Sequence, residues 1–198
     1  DDERGTVNFI TPEKLRQAAA CIRRGAVFSL ALPLGAEGPQ FGQAGRVNPV
    51  HLMTATNSPM SADPDGIRYA DDFIMMPLQC ATQWDSLAHI FYEGKMYNGY
   101  DAALVTSSGA AKNSIDKTTS RLAGRGVLLD VARLQGVKAL EPGYAITVAD
   151  LEATAAAQHV EVLPGDILLV RTGHMSRYLD RKDWRHYDLD PFPGVSVH

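Results

Sequence analysis

Cysteine is scarce in this sequence, and long apolar runs and long runs of one charge are missing. The two cysteines, Cys21 and Cys80, are too few for a disulfide framework, so reduced thiols and a cytoplasmic location are expected. No lysine/arginine run exceeds two residues, and the formal net charge is −4 with a pI near 5.8. That balance points away from nucleic acid and from anionic membrane as partners. No apolar run reaches the length of a membrane span, and the opening DDERGTVNFI does not read as a signal sequence. A small neutral or anionic molecule is the partner left open. With 45% hydrophobic residues, the 198 residues are enough to bury a core, and one domain over 1–198 is expected.

The organising stretch runs over residues 77–100, PLQCATQWDSLAHIFYEGKMYNGY. Its centre is the spaced set Gln79, Gln83, Asp85 and His89, all at odd positions. If the backbone is extended over 79–85, the first three project from one face of a strand. Trp84, Phe91, Tyr92, Tyr97 and Tyr100 surround the set and could wall a partly dry pocket. The same residues also fit a strand entering a core, with both glutamines bonded to backbone groups.

Along the rest of the chain, Thr11-Pro12-Glu13 is a helix start, with Thr11 as N-cap and Pro12 at the first helical position. Leu15, Ala18, Ala19 and Ile22 repeat at helical spacing, and Arg23-Arg24-Gly25 closes the element. Residues 26–34 read as a strand, 35–47 as a glycine-rich loop and 48–56 as a second strand bearing His51 near its start. A single His there is more often structural than part of a site. Residues 57–66 are loop, and 72–78 are an apolar run leading into the motif. The Ala-, Ser- and Gly-rich stretch 101–125 fits a flap over the sheet. Residues 126–132 and 167–170 read as buried strands, and Thr147 with Asp150 resembles a capping box opening a helix over 148–158. Strands alternating with helices predict an α/β fold.

The 77–100 stretch resembles the signature of the metal-dependent cyclase family, which includes bacterial kynurenine formamidase, isatin hydrolase and trans-dienelactone hydrolase. The family motif reads His-x-Gly-Thr-His-x-Asp-x-Pro-x-His. Thr82, Asp85 and His89 stand where the family has Thr, Asp and the last His. Gln79 and Gln83 stand at two metal-binding His positions, Ala81 at its Gly and Leu87 at its Pro. RGVLLDVARLQGV, LEPGYAIT and PGDILLVRTG are similar to the family's middle section. The Thr-Gln-Trp-Asp variant is similar to a longer subgroup. The resemblance implies a swivelling β/α/β-like domain with a mixed central sheet and flanking helices, assembled as a dimer or larger homo-oligomer. It also implies further strands carrying another metal-binding His and a Glu. The sequence stops before them at DPFPGVSVH, so a missing C-terminal segment is expected, along with apolar surface that needs cover.

The chemistry implied is hydrolysis of an amide or lactone bond in a small cyclic or N-acyl substrate. A manganese or zinc ion, held by Asp85 with Gln83 and Gln79, would activate the water, and His89 would move the proton. Amide oxygens are poorer zinc ligands than imidazole and suit a harder ion. Asp85 and His89 are thus the candidate catalytic residues. Gln79, Gln83, Trp84, Phe91, Tyr97 and His51 are the candidate substrate contacts. Two alternatives stand beside this one: a metal-independent acid/base lyase or cyclase built on Asp85 and His89, and a catalytically dead relative that binds a ligand. Cys80 pairing with His89 as a nucleophile is disfavoured, because its even position aims it at the opposite strand face. Asp130 reads as a strand-end carboxylate bonding loop amides or as support for the site. Arg171 could hold a substrate carboxylate, although a structural salt bridge is the commoner use. His174 could line the pocket, and His159 and His186 read as surface residues.

Overall fold

The computed structural model describes residues 1–181, 183–185, 187 and 191–196, so His186 and the terminal His198 lie outside the described residues. The chain divides into two compact units. One comprises Asp1–Val27, Trp84–Arg177 and Pro191–His198, and the other Phe28–Gln83 and Tyr178–Asp190.

The second unit is built on a long antiparallel hairpin, β1 (Val50–Pro59) with β2 (Arg68–Met75). Its register shifts between Met53 and Ala55 and again between Ala55 and Ser58. Such bulges add local twist. The loop reading of 57–66 therefore starts too early, because pairing continues to Pro59 opposite Arg68. Residues 26–34 form no strand, contrary to the sequence expectation. Val27, Phe28 and Leu30 are strongly exposed, and the Leu32 amide bonds the Thr82 hydroxyl rather than another strand. Strand propensity without a ladder partner leaves an irregular segment. Tyr178, Trp184 and Tyr187 form an aromatic cluster, with Tyr178 and Trp184 stacked at 6.1 Å between ring centroids.

In the first unit, Thr11 caps helix α1 (Pro12–Ala20) by accepting from the Lys14 amide, as its sequence predicts. β5 (Gly126–Asp130) runs parallel to β7 (Ile167–Arg171), and helix α3 (Val148–Gln158) lies between them in sequence. The short pairs β3 (Val105–Thr106) with β4 (Gly109–Ala110) and β6 (Ala145–Ile146) with β8 (Gly194–Val195) complete the described ladders. β5 is shorter than the strand read over 126–132, because Asp130 ends it and caps the helical turn α2 (Val131–Leu134) by accepting from the Arg133 amide. The capping box at Thr147 and Asp150 is complete in both directions. The Gln158 side-chain amide completes the β5 edge, accepting from the Asp130 amide at 2.7 Å and donating to the Leu128 carbonyl at 2.6 Å. Val131, Ala132, Leu140 and Ile146 form the buried core, with Tyr144, Leu151 and Val170 packed on it.

The fold is of the α/β class, as the alternation of strand and helix signals predicts. No helix among the described residues is long and apolar enough to cross a membrane.

Two glycines test how tightly the strand ends are packed. Gly173 has φ +73°, and a methyl group added there would lie 2.2 Å from the Lys138 carbonyl oxygen. Gly136 has a similar φ, +70°, with open space around the same position. Gly136→Ala should cost about 1–2 kcal/mol for the left-handed backbone alone. Gly173→Ala should cost on the order of 4 kcal/mol, because strain and collision add. Urea unfolding of the two variants measures the difference.

Candidate functional site

After β2 the backbone bends through residues 78–82, and Ala81 takes φ +55°. The extended run assumed for 79–85 is therefore not present, and period-two spacing does not put Gln79, Gln83 and Asp85 on one strand face. Ala81 occupies the motif's glycine position, and its left-handed φ is the conformation glycine adopts most readily. Gln79 and Gln83 belong to the second unit, whose first segment ends at Gln83, and Trp84 and Asp85 open the next segment of the first.

Within the first unit the chain brings Asp85 and His89 together. Ser86 builds the turn between them. Its hydroxyl accepts from the Ala88 amide at 3.2 Å and its carbonyl from the His89 amide at 3.0 Å. Ala88 and Met96 are buried and anchor the segment. The turn aims His89 Nε2 at Asp85 Oδ2, 4.0 Å away. The side chains keep 29% and 40% of their exposure, so both can meet a solute. His89 is thus partly exposed rather than buried. Beyond it, Glu93 and Gly94, both at positive φ, make a tight turn closed by two backbone bonds of 2.9 Å between Tyr92 and Lys95.

The aromatic residues do not act as a set. Trp84 lines a cavity of about 220 Å³ with Thr6, Val7, Ile10, Leu122 and Asp166. Tyr97 donates its hydroxyl to Asp2 Oδ2 at 2.6 Å, while Phe91 and Tyr92 are exposed. That hydrogen bond is the first cause holding the Asp2 carboxyl down at about 2, and it raises the Tyr97 phenol. Lys112 Nζ lies 5.2 Å from the centroid of the Tyr100 ring. In the second unit, His51 Nε2 sits 2.8 Å from Asp72 Oδ2 across the hairpin, an exposed pair of the kind that adds little stability. Cys80 is buried, with Sγ 3.8 Å from the Val47 carbonyl, and burial pushes its thiol up, which disfavours a thiolate nucleophile.

Asp130 and Arg171 answer to structure. Arg171 Nη1 donates to Asp130 Oδ1 at 2.8 Å and Nη2 to the Lys138 carbonyl at 3.4 Å, so its guanidinium ties the ends of β5 and β7. His174 is buried, its ring edge-on to Phe192 at 5.3 Å, and His159 is the exposed left-handed C-cap of α3. The residues that sequence reasoning missed are Asp2 and Glu3. Their partners, Tyr97, Lys112 and Asn113, lie some hundred residues away, and the one available signal was the acid pair in DDER.

A family profile described as "Putative cyclase" matches residues 28–198. A crystal structure of a protein described as a novel cyclase is similar over the whole chain, at 42% identity and a TM-score of 0.89, and this chain covers 68% of that one. No curated protein matches the sequence.

The Arg171 geometry has a direct test. Arg171→Met should lower stability by about 1–3 kcal/mol, because Asp130 loses a charge-assisted bond in a partly buried place. Urea denaturation measures the loss; a change confined to ligand affinity would instead assign Arg171 to binding.

Proposed function

We propose that this chain, which belongs to the cyclase family, hydrolyses an amide or lactone bond of a small cyclic or N-acyl substrate. The observation that carries the reading is the Asp85–His89 pair, half open to solvent and aimed nitrogen to oxygen at 4.0 Å. At 4.0 Å the two groups are not hydrogen-bonded, and a bound substrate that excludes water would draw them together.

The resemblance implies manganese or zinc. Asp85 and His89 supply two donors, whereas a catalytic zinc centre uses three protein ligands. Among the described residues, no group of three or more His, Cys, Asp or Glu could hold a metal ion. The pair does not by itself fit a metal centre, and the steps that follow run through the protein's own groups.

His89 takes a proton from a water as its oxygen bonds to the substrate carbonyl carbon, and Asp85 stabilises the imidazolium that forms. When the C–N or C–O bond breaks, the same proton passes from His89 to the leaving nitrogen or oxygen. One water is consumed, a carboxylic acid and an amine or alcohol leave, and the imidazole is restored. Two such proton transfers account for about 10²–10⁴-fold in rate.

The test is a panel of an aryl formamide, a cyclic imide and a five-membered lactone, run with elemental analysis on protein purified without chelator. Turnover is expected to fall about 10²–10⁴-fold in His89→Ala while circular dichroism is unchanged. Near-stoichiometric metal, lost in Asp85→Ala, would replace the metal-free route with a metal-activated water. No turnover of any member, with the protein folded, would sink hydrolysis and favour a ligand-binding relative.

A further inference from the structure

We propose that residues 2–7 form a strap that positions the Asp85–His89 pair, with Asp2 as its anchoring residue. The inference rests on the reading that this pair carries the chemistry. The strap, the pair and every partner named below lie in the same compact unit.

The anchor is a dense set of hydrogen bonds centred on one carboxylate. Asp2 Oδ2 accepts from the Tyr97 hydroxyl at 2.6 Å and from the Gly5 amide at 3.2 Å. Asp2 Oδ1 accepts from Asn8 Nδ2 at 2.6 Å and from the Arg4 amide at 3.0 Å. The Asp2 carbonyl takes Asn98 Nδ2 at 3.0 Å. One residue thus ties the strap to itself and to the segment after the pair. Glu3 adds a second tie, accepting from Lys112 Nζ at 3.0 Å and from the amide of the buried Asn113 at 2.9 Å. Arg4 Nε donates to the Lys117 carbonyl at 2.9 Å.

The rest of the strap lies along the stretch that carries Asp85. Gly5 has φ +57°, and a methyl group added there would sit 3.4 Å from Leu87 Cδ1 and 3.6 Å from Tyr97 Cζ. Leu87 and Tyr97 are therefore the strap's neighbours at Gly5, with room for a methyl group between, and it is the left-handed turn that calls for glycine. Thr6 and Val7 share a cavity wall with Trp84. Trp84 precedes Asp85, and Leu87 lies midway between Asp85 and His89. The turn carrying both reactive groups is therefore held on one side by residues 5–7, which Asp2 and Glu3 lock to residues 97–113. Asp85 and His89 make no short bond to each other, so their separation depends on such packing. Small displacements at reacting groups cost large factors in rate.

The experiment compares Asp2→Ala, Asp2→Asn and Gly5→Ala with the parent by amide hydrogen exchange, by the NMR chemical shifts of the His89 ring at fixed pH and by steady-state kinetics. Gly5→Ala leaves Asp2 and Glu3 in place and strains the strap's own backbone at φ +57°, so it tests the strap even if Asp2→Ala folds poorly. In Asp2→Ala, exchange should rise about tenfold at 97–113 and at 86–90 while α3 is unaffected. The His89 ring shifts should move, and kcat should fall about tenfold with KM unchanged. Asp2→Asn, which keeps an acceptor for Tyr97, should recover most of each effect. Exchange that rises at 97–113 but stays fixed at 86–90, or His89 ring shifts identical in all four proteins, would overturn the positioning role. Absence of turnover in the parent, with exchange and His89 ring shifts coupled as expected, would overturn hydrolysis and leave the strap standing.

Discussion

The interaction on which most of the first unit depends is the joint where β5 and β7 end. Arg171 reaches across from β7 to Asp130, Asp130 caps α2, and the same guanidinium bonds the Lys138 carbonyl. That carbonyl is also the group closest to the Cβ position of Gly173, and the Leu140 amide bonds the Thr172 carbonyl at 2.8 Å. Three chain segments therefore meet within a few residues, and the core residues Val131, Ala132, Leu140 and Ile146 follow directly from them. A parallel pair has no hairpin to set its register. Here the ion pair and the carbonyl contacts at the strand ends do that work beside the ladder itself.

What could be read from the sequence was whatever is decided locally. The capping box at Thr147 and Asp150 and the N-cap at Thr11 depend on neighbours within a few positions, and each formed. The strand beginning at Gly126 formed beside β7, but only Val127 and Leu129 are buried in it rather than the whole run. The failures share the opposite property. Residues 26–34 have the composition of a strand, yet a strand needs a partner, and propensity says nothing about where one will come from. The alternation of Gln79, Gln83 and Asp85 needed an extended backbone, and the left-handed Ala81 removed it. That clue was visible in the chain, because Ala81 stands where the related motif has glycine.

The candidate site divides in the same way. Asp85 and His89 meet because a four-residue spacing is short enough for one serine-built turn to join them. Tyr97 was equally legible as an aromatic near the motif, but its partner lies ninety-five positions away at Asp2, and no local pattern announces such a bond. Asp2 and Glu3 carried no assignment in the sequence. Their short contacts to Tyr97, Lys112 and Asn113 make them structural instead.

The two glutamines at the motif's histidine positions bear on which chemistry this member of the family can use. An imidazole offers a strong nitrogen donor and can also carry a proton; a carboxamide offers a neutral oxygen and does not titrate near neutral pH. Glutamine at both positions is a weaker zinc ligand than histidine and carries no proton traffic near neutral pH, while Asp85 and His89 remain. The surviving pair is the part of the signature that can move a proton unaided. Its half-exposed carboxylate and imidazole lie within reach of one solute. Without an ion, such a site would depend more heavily on orientation, because no bond to a metal would fix the angle of the imidazole ring. On the proposed reading, a strap tied by the carboxylates of Asp2 and Glu3 is a physically sufficient means of holding the turn that carries the pair.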